Sequence, residues 1–172
     1  MKILILMGSP RSGGHTAKMS QAFAEGAREA GHEVNLVQVC QRHIQGCRGC
    51  NYCRTRGNGH CLLNDDMQLI YPLLQEAEML VVASPIYFYG LSGQLQCAID
   101  RLHALIGRLP KLKKAMLILS SGSPDVYDGA EYMYEKSFIE YMRMEDMGRF
   151  HISEGENLDA MCARLRERGR SL

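Results

Sequence analysis

The sequence predicts an α/β fold, a three-layer sandwich around a five-stranded parallel sheet with strand order 2-1-3-4-5. Short apolar runs alternate along the chain with longer segments of helical periodicity, a pattern typical of a doubly wound parallel sheet. The two most unusual loops, residues 8–16 and 84–90, follow the first and third predicted strands. In this strand order the two loops part to form a crevice at the carboxyl edge of the sheet, where ligands bind.

The strands are predicted from apolar runs that are too short for helices and end at turn residues. The first run, Lys-Ile-Leu-Ile-Leu-Met, stops at a Gly-Ser-Pro break. The predicted strands are 2–7, 34–39, 79–83, 115–119 and 147–152.

The helices are predicted from apolar residues spaced three and four apart. Gly31 supplies the stop signal of the first helix, and Asp65 with Gln68 forms a capping-box pattern at the second, which Pro72 interrupts. Residues 40–64, rich in Cys, Gly, Arg and Asn, have no clear period and are predicted as a long functional loop. The predicted helices are 16–30, 65–77, 91–105, 127–144 and 158–168.

The composition indicates one globular domain, residues 1–172. Lys and Arg total 20 against 19 Asp and Glu, and the net charge of +1 disfavours a nucleic-acid or membrane-surface partner. The apolar run near the N-terminus is too short for a secretory signal, and no run reaches the length of a transmembrane helix. We therefore predict a cytoplasmic location, where the seven cysteines are not expected to form structural disulfides.

The loop after the first strand has the character of a phosphate-binding site. It combines the hydroxyls of Ser9, Ser12 and Thr16 with several glycines and with Arg11, whose planar guanidinium suits phosphate. The helix that follows adds unpaired N–H groups and the positive end of its dipole. A helix cap and a turn would explain one hydroxyl and the glycines but not the whole set. Neither the dinucleotide motif nor the triphosphate P-loop motif is present, so a single phosphomonoester is predicted.

The loop after the third strand offers a wall for a flat apolar ring system. It places Tyr87, Phe88 and Tyr89 beside Ile86, and consecutive side chains cannot all face one core. We expect some of these aromatic residues to flank a ligand and others to meet a second subunit. The fourth strand lies beside the third, so Gly122 in the loop after it reaches the same ligand edge.

Together these motifs resemble the NAD(P)H-dependent FMN reductase family. The resemblance lies in Gly-Ser-Pro-Arg…Gly-His-Thr at 8–16, Ser-Pro-Ile-Tyr-Phe-Tyr-Gly-Leu-Ser-Gly-Gln at 84–94 and the downstream Asp100-Arg101. It implies a flavodoxin-like fold, non-covalently bound FMN and frequent dimerisation. It also implies electron transfer from NAD(P)H to a flavin, quinone or similar small-molecule acceptor. That chemistry belongs to the flavin, so no catalytic side chain is predicted.

The resemblance also implies a set of cofactor-binding residues. By it, the FMN phosphate is held by Ser9, Arg11, Ser12, His15 and Thr16. The isoalloxazine is lined by Pro85, Ile86, Tyr87 and Phe88, with Gly122 nearby. Position 15 is often Asn in similar sequences, so His15 is a departure from the pattern.

Four cysteines form a compact candidate metal site, spaced C-x2-C-x2-C-x7-C. This spacing suits a [4Fe–4S] cluster better than zinc, and it resembles the cysteine motif of iron–sulfur flavoproteins. Free or redox-active thiols stand as an equal alternative. The predicted metal ligands are Cys47, Cys50, Cys53 and Cys61.

The helix predicted at 127–144 is rich in aromatic residues, and we expect Tyr127, Tyr134, Phe138 and Tyr141 to face the core. Tyr132 would lie on a second apolar face, which favours a homodimer or higher homo-oligomer. A first alternative to the reductase, a non-enzymatic electron carrier like the flavodoxins, is disfavoured by the near-neutral charge, because such carriers tend to be strongly acidic. Two further alternatives stay open. One is an iron–sulfur flavoprotein that carries electrons from ferredoxin, and the other is a zinc-stabilised binding module.

Overall fold

A computed structural model describes residues 1–172 and contains one sheet of five parallel strands. The strand order is β2-β1-β3-β4-β5, which confirms the predicted fold class. The observed strands are β1 Lys2–Met7, β2 Glu33–Gln38, β3 Met79–Pro85, β4 Lys114–Ser121 and β5 Glu145–Ser153.

Helices connect the strands and cover both faces of the sheet. Two of them continue beyond their α-helical part: a 3₁₀ segment, Arg101–Leu105, follows α4, and a π-helical segment, Glu135–Tyr141, follows α5. A further 3₁₀ turn, Val39–Gln41, follows β2. None of the helices is long and apolar enough to cross a membrane. The α-helices are α1 His15–Glu29, α2 Tyr52–Thr55, α3 Met67–Glu76, α4 Gly93–Asp100, α5 Asp128–Tyr134 and α6 Leu158–Arg170.

The alternation of side chains along β1 divides the interior into two cores. Leu4 and Leu6 pack in the core that includes residues of α3, α4 and α5. Ile3, Ile5 and Met7 pack in the core that includes residues of α1 and α6. Each buried aliphatic side chain contributes roughly 1.5–3 kcal/mol. Since both faces of β1 are covered, its sequence is continuously apolar rather than alternating.

Helices α1 and α6 pack so closely that only glycine fits at their crossing. A Cβ atom at Gly26 would lie 1.9 Å from the carbonyl oxygen of Arg166, and one at Gly169 would lie 2.5 Å from that of Phe23. Real side chains do not approach a backbone so closely, so even alanine at either position would push the helices apart. This contact fixes the position of α1 against α6. The N-terminus of α1 lies at the carboxyl edge of the sheet.

The capping box predicted for α3 is wrong. The Asp65 carboxylate accepts a hydrogen bond from the backbone N–H of Met67 (3.1 Å), and the Gln68 side chain makes no hydrogen bond to the backbone N–H of Asp65. Instead, the Gln68 amide donates to the carbonyl oxygens of Cys61 (3.2 Å) and Leu63 (2.8 Å). The pattern fails because these two bonds hold the Gln68 side chain against the cysteine-containing segment, so it does not pair with the start of the helix. Helix α3 runs through Pro72 without ending there.

The expected aromatic core face is correct for two of its four residues. Tyr134 and Phe138 are fully buried, Tyr127 is half-buried, and Tyr141 is 66% exposed. Tyr127 precedes the first residue of α5, and Tyr141 ends the π-helical segment Glu135–Tyr141, whose wider turn rotates it away from the face that an α-helix would continue. Tyr132 is exposed, as expected for a second face.

Candidate functional site

A cleft of about 770 Å³ opens at the carboxyl edge of the sheet. Its size falls within the range of sites for small molecules and cofactors, roughly 300–1,000 Å³. Its walls come from the segments that follow four neighbouring strands: 11–15 after β1, 85–87 at the end of β3, 120–122 at the end of β4, and 154–156 after β5. The two loops on which the sequence analysis placed a ligand therefore meet in one cleft.

The N-terminus of α1 is left open toward this cleft. Gly14 stands at the cap position in an extended conformation, and no side chain accepts a hydrogen bond from the first turn. The first turn also contains no acidic residue. The unpaired N–H groups and the positive end of the helix dipole are therefore free to bind an anion. Arg11, Ser12 and His15, three of the predicted phosphate ligands, line the cleft beside this helix end.

Two predicted phosphate ligands, Ser9 and Thr16, are buried beneath the cleft rather than lining it. The Ser9 hydroxyl accepts a hydrogen bond from the backbone N–H of Arg11 (3.2 Å), so it shapes the loop. The Thr16 hydroxyl hydrogen-bonds the Ser120 hydroxyl at 2.7 Å, with both atoms buried. This second bond ties the start of α1 to the end of β4 and so fixes the distance between two walls of the cleft.

The apolar wall is formed by fewer residues than predicted. Pro85, Ile86 and Tyr87 line the cleft, and Ile86 is held by a hydrogen bond from its backbone N–H to the carbonyl oxygen of Ser120 (2.8 Å). Phe88 does not lie in this cleft: its side chain is fully exposed and borders an adjacent depression of about 170 Å³. Gly122 borders both spaces.

The aromatic segment turns back on itself in two residues. Tyr87 and Gly90 exchange backbone hydrogen bonds in both directions, each of 3.0 Å. The turn residues between them, Phe88 and Tyr89, both have positive φ angles, 49° and 63°. This geometry matches a type I′ hairpin turn, which usually carries Asn and Gly. It directs the Phe88 ring away from the cleft.

Sequence reasoning missed the fourth wall of the cleft. Lys18 and Ser121 also line it, and Glu154, Gly155 and Glu156 close it on the β5 side. Hydrogen bonds from the Ser153 hydroxyl (2.6 Å) and backbone N–H (2.5 Å) hold the pKa of Glu156 below its usual value. The signal was available, because the loop after β5 must emerge at the same edge as the loop after β4.

The cleft therefore fits a ligand with one anionic end and one flat apolar part. The cationic side chains of Arg11 and Lys18 lie with the open helix end, and Ile86 and Tyr87 lie on another wall. Two carboxylates, Glu154 and Glu156, face the same space and limit how much negative charge it favours. FMN has this chemistry, with a phosphate at one end and a flat ring system at the other.

The predicted metal ligands do not form a metal-binding group: no three His, Cys, Asp or Glu side chains converge closely enough to hold a metal ion. Cys47 and Cys50 are exposed, Cys61 is half-buried and Cys53 is buried. Burial raises the pKa of the Cys53 thiol, and the neighbouring thiols of Cys61, Cys47 and Cys50 raise it further. The four thiols thus affect one another, but a [4Fe–4S] cluster gains no support from this geometry and stays a prediction.

Fold and cleft together define a flavodoxin-like protein with a site for a phosphate-bearing, flat ligand at its carboxyl edge. The family described as NADPH-dependent FMN reductase matches residues 1–157, and the chain belongs to that family. This confirms the resemblance seen in the sequence motifs and makes FMN the cofactor that the family brings to this cleft.

Individual relatives agree with the family. An iron–sulfur flavoprotein from Archaeoglobus fulgidus is 34% identical over 113 residues, covering 66% of this chain and 50% of the relative. A putative NAD(P)H-dependent FMN-containing oxidoreductase from Bacillus subtilis, YwqN, is 30% identical over 125 residues, covering 69% and 62%. The chain spans about half the length of the iron–sulfur flavoproteins that it matches.

The fold is shared with solved structures. The NAD(P)H:quinone oxidoreductase from Methanothermobacter marburgensis superimposes with a TM-score of 0.74, covering 99% of this chain and 95% of that one. The two sequences are 20% identical, so the likeness concerns the fold.

Proposed function

We propose that this protein is an FMN-dependent oxidoreductase that takes electrons from NAD(P)H and passes them to a flavin, quinone or similar small acceptor. The observation that carries the proposal is the uncapped N-terminus of α1 facing the same cleft as Ile86 and Tyr87. An open helix end binds the phosphate, and the apolar wall binds the ring. Membership of the FMN reductase family supports the same reading.

The residues of the chain bind and orient, while bound FMN supplies the hydride and electron chemistry. Arg11 and the N–H groups of the first turn of α1 hold the phosphate dianion, and the Ser12 hydroxyl adds a donor. Ile86 and Tyr87 exclude water from one side of the ring. The Thr16–Ser120 hydrogen bond keeps the phosphate end and the ring end at a fixed separation.

The experiment that tests this function is a titration with FMN followed by anaerobic mixing with NADH or NADPH. We expect quenching of flavin fluorescence on binding, then rapid bleaching of the oxidised flavin absorption by a nicotinamide. Reoxidation by added free flavin or a quinone would identify the acceptor class. A protein that fails to bind FMN would contradict the proposal at its first step.

A second candidate function is an iron–sulfur flavoprotein that accepts electrons from ferredoxin. The names of several relatives favour it, since they are iron–sulfur flavoproteins. Anaerobic purification with iron, sulfide and zinc analysis distinguishes the candidates. Iron and sulfide together with flavin reduction by ferredoxin, but not by NAD(P)H, would select the second candidate; zinc without flavin would select a binding module.

We also propose that the protein is a homodimer. Phe88, Tyr89 and Tyr132 are large aromatic side chains that are each more than half exposed, and exposed apolar groups of this size mark contact surfaces. Sedimentation at micromolar concentration tests the proposal, and a monomer at that concentration would contradict it.

A further inference from the structure

All four cysteines of the candidate metal site lie in one loop, whose two ends meet at a single buried side chain. The cysteine loop is defined here as residues 45–63, and it contains Cys47, Cys50, Cys53 and Cys61. At its base stands Arg101, which begins the 3₁₀ segment after α4 and has an exposed fraction of 1%. It is the largest side chain in the protein that is fully buried.

The Arg101 guanidinium binds both ends of this loop. Its Nη1 donates to the carbonyl oxygen of Gln45 at 3.0 Å, and its Nη2 donates to that of Leu63 at 3.5 Å. The carbonyl of Gln45 belongs to the first residue of the cysteine loop, and the carbonyl of Leu63 belongs to its last residue. The planar fork of arginine can serve two acceptors at fixed separation, which the point charge of lysine cannot do.

A carboxylate completes the closure of the loop. Asp65 accepts two hydrogen bonds from Arg101, 2.7 Å from Nη1 to Oδ2 and 3.2 Å from Nη2 to Oδ1. The same Oδ2 also accepts from the backbone N–H of Gln45 at 3.0 Å. The Asp65 side chain is fully buried. Tyr71 accepts a further hydrogen bond from Nε of Arg101, so the guanidinium has partners on all its sides.

A buried ion pair is weak evidence for stability, because removing two charges from water offsets much of their attraction. A pair of this kind is better explained by the geometry that it fixes. Here the ion pair fixes the distance between the two ends of the cysteine loop. The loop has little regular structure of its own, since α2 is its only helix and has a single turn. The other tie from the loop to the body of the protein that involves an arginine, from Arg54 to the carbonyl oxygen of Ile106 (2.7 Å), is exposed.

We propose that Arg101, through Asp65, is the positioning residue of the cysteine loop: it joins the loop ends and thereby limits how far the four thiols can move apart. The proposal concerns the chain's own thiols and holds whether they carry a metal centre or none. It is therefore independent of the choice between the two candidate functions above.

Two variants separate positioning from simple folding. Arg101→Lys keeps a positive charge beside Asp65 but loses the fork that serves Gln45 and Leu63. The double variant Arg101→Met with Asp65→Asn removes both charges, and thus leaves no uncompensated buried ion, while the amide oxygen of Asn can still accept from Met67. The matched control is Arg54→Lys, which alters an exposed arginine that also ties this loop.

The measurement is thiol bridging in reduced, chelator-treated protein. Dibromobimane becomes strongly fluorescent only when it has alkylated two neighbouring thiols, and peptide mapping then locates the bridged pair. We expect pairs among the four loop cysteines in the wild type and in Arg54→Lys. We expect bridging about tenfold slower in both Arg101 variants. A loop whose ends are not joined samples a larger volume, which lowers the effective concentration of one thiol near another.

A second readout tests whether the effect is confined to the loop. FMN affinity, measured by fluorescence quenching, is expected to stay within about twofold of wild type, because Arg101 does not line the cleft. Slower bridging with retained FMN affinity supports the proposal. Wild-type bridging in both Arg101 variants would overturn it, as would slower bridging that occurs only together with an equal loss of FMN affinity.

Discussion

The FMN cleft and the cysteine loop lie in the same molecule but are built in different ways. The cleft is formed by short connections between neighbouring strands, so the sheet itself brings its walls together. The cysteine loop is a long connection between β2 and α3 whose ends are joined at a buried ion pair, with further hydrogen bonds from Gln68 and between His43 and Asp66 beside it. The comparison shows that topology places the first site, whereas side-chain interactions centred on Arg101 and Asp65 hold the second. Substitutions should therefore affect the two sites separately.

The largest effect is expected from Arg101→Met alone. It leaves the buried Asp65 carboxylate without its partner, which costs about 3–5 kcal/mol of unfolding free energy. Urea unfolding followed by circular dichroism measures this cost. The double variant with Asp65→Asn should recover much of the loss; equal loss in both would show that the charge imbalance is not its cause.

Arg11→Ala should weaken the other site without affecting the loop. A hydrogen bond to a charged group is worth about 1.5–3 kcal/mol, so FMN affinity should fall by about ten- to a hundredfold. Arg11 is exposed, so the unfolding free energy should stay unchanged. Fluorescence titration with FMN gives the affinity, and Arg42→Ala, another exposed arginine outside the cleft, is the control. An affinity equal to that of the control would remove Arg11 from the phosphate site.

Acid should weaken the ion pair between Asp65 and Arg101 that joins the ends of the cysteine loop. Although burial opposes its ionisation, hydrogen bonds from Arg101 and from the Gln45 backbone hold the pKa of Asp65 below its usual value. A lowered folded-state pKa contributes stability that is present above the unfolded value and is lost as pH falls through the folded value. The unfolding free energy should thus decline below about pH 4.

The variant Asp65→Asn supplies the comparison for this prediction, because it has no carboxylate to titrate at that position. Its stability should decline less steeply with falling pH than that of the wild type. Parallel pH profiles for the two proteins would mean that other groups dominate acid unfolding.

The smallest effect is expected from Glu154→Gln on the acidic wall of the cleft. Removing one carboxylate that lines the cleft should tighten the binding of the FMN dianion by about two- to threefold at low salt, and less at high salt because exposed charges are screened. Titrations at two salt concentrations test both statements. Glu33→Gln, at the opposite end of the sheet, should leave the affinity unchanged. A salt-independent change would point to altered packing instead.

The difference between the cleft and the cysteine loop also explains which parts of the structure could be predicted from the sequence. The sheet order and the two ligand loops could be predicted, because apolar runs and turn residues record them locally. Glu154 and Glu156 were missed although the strand order implies their place. The Arg101–Asp65 pair joins residues 36 positions apart, one of them next to a loop with no period, and no local pattern encodes such a contact. The exposed Phe88 was missed because periodicity does not reveal a two-residue turn.

That turn has a consequence for the surface of the protein. Phe88 and Tyr89 adopt positive φ angles, which cost a residue other than glycine about 1–3 kcal/mol each when the surroundings enforce them. Asn and Gly would form the same turn with less strain. Local stability is thus sacrificed to display two aromatic rings at the rim of the cleft, beside Ile86 and Gly122. The folding of this turn alone would favour Asn and Gly, so its two exposed rings belong to the contact surface proposed above for the homodimer.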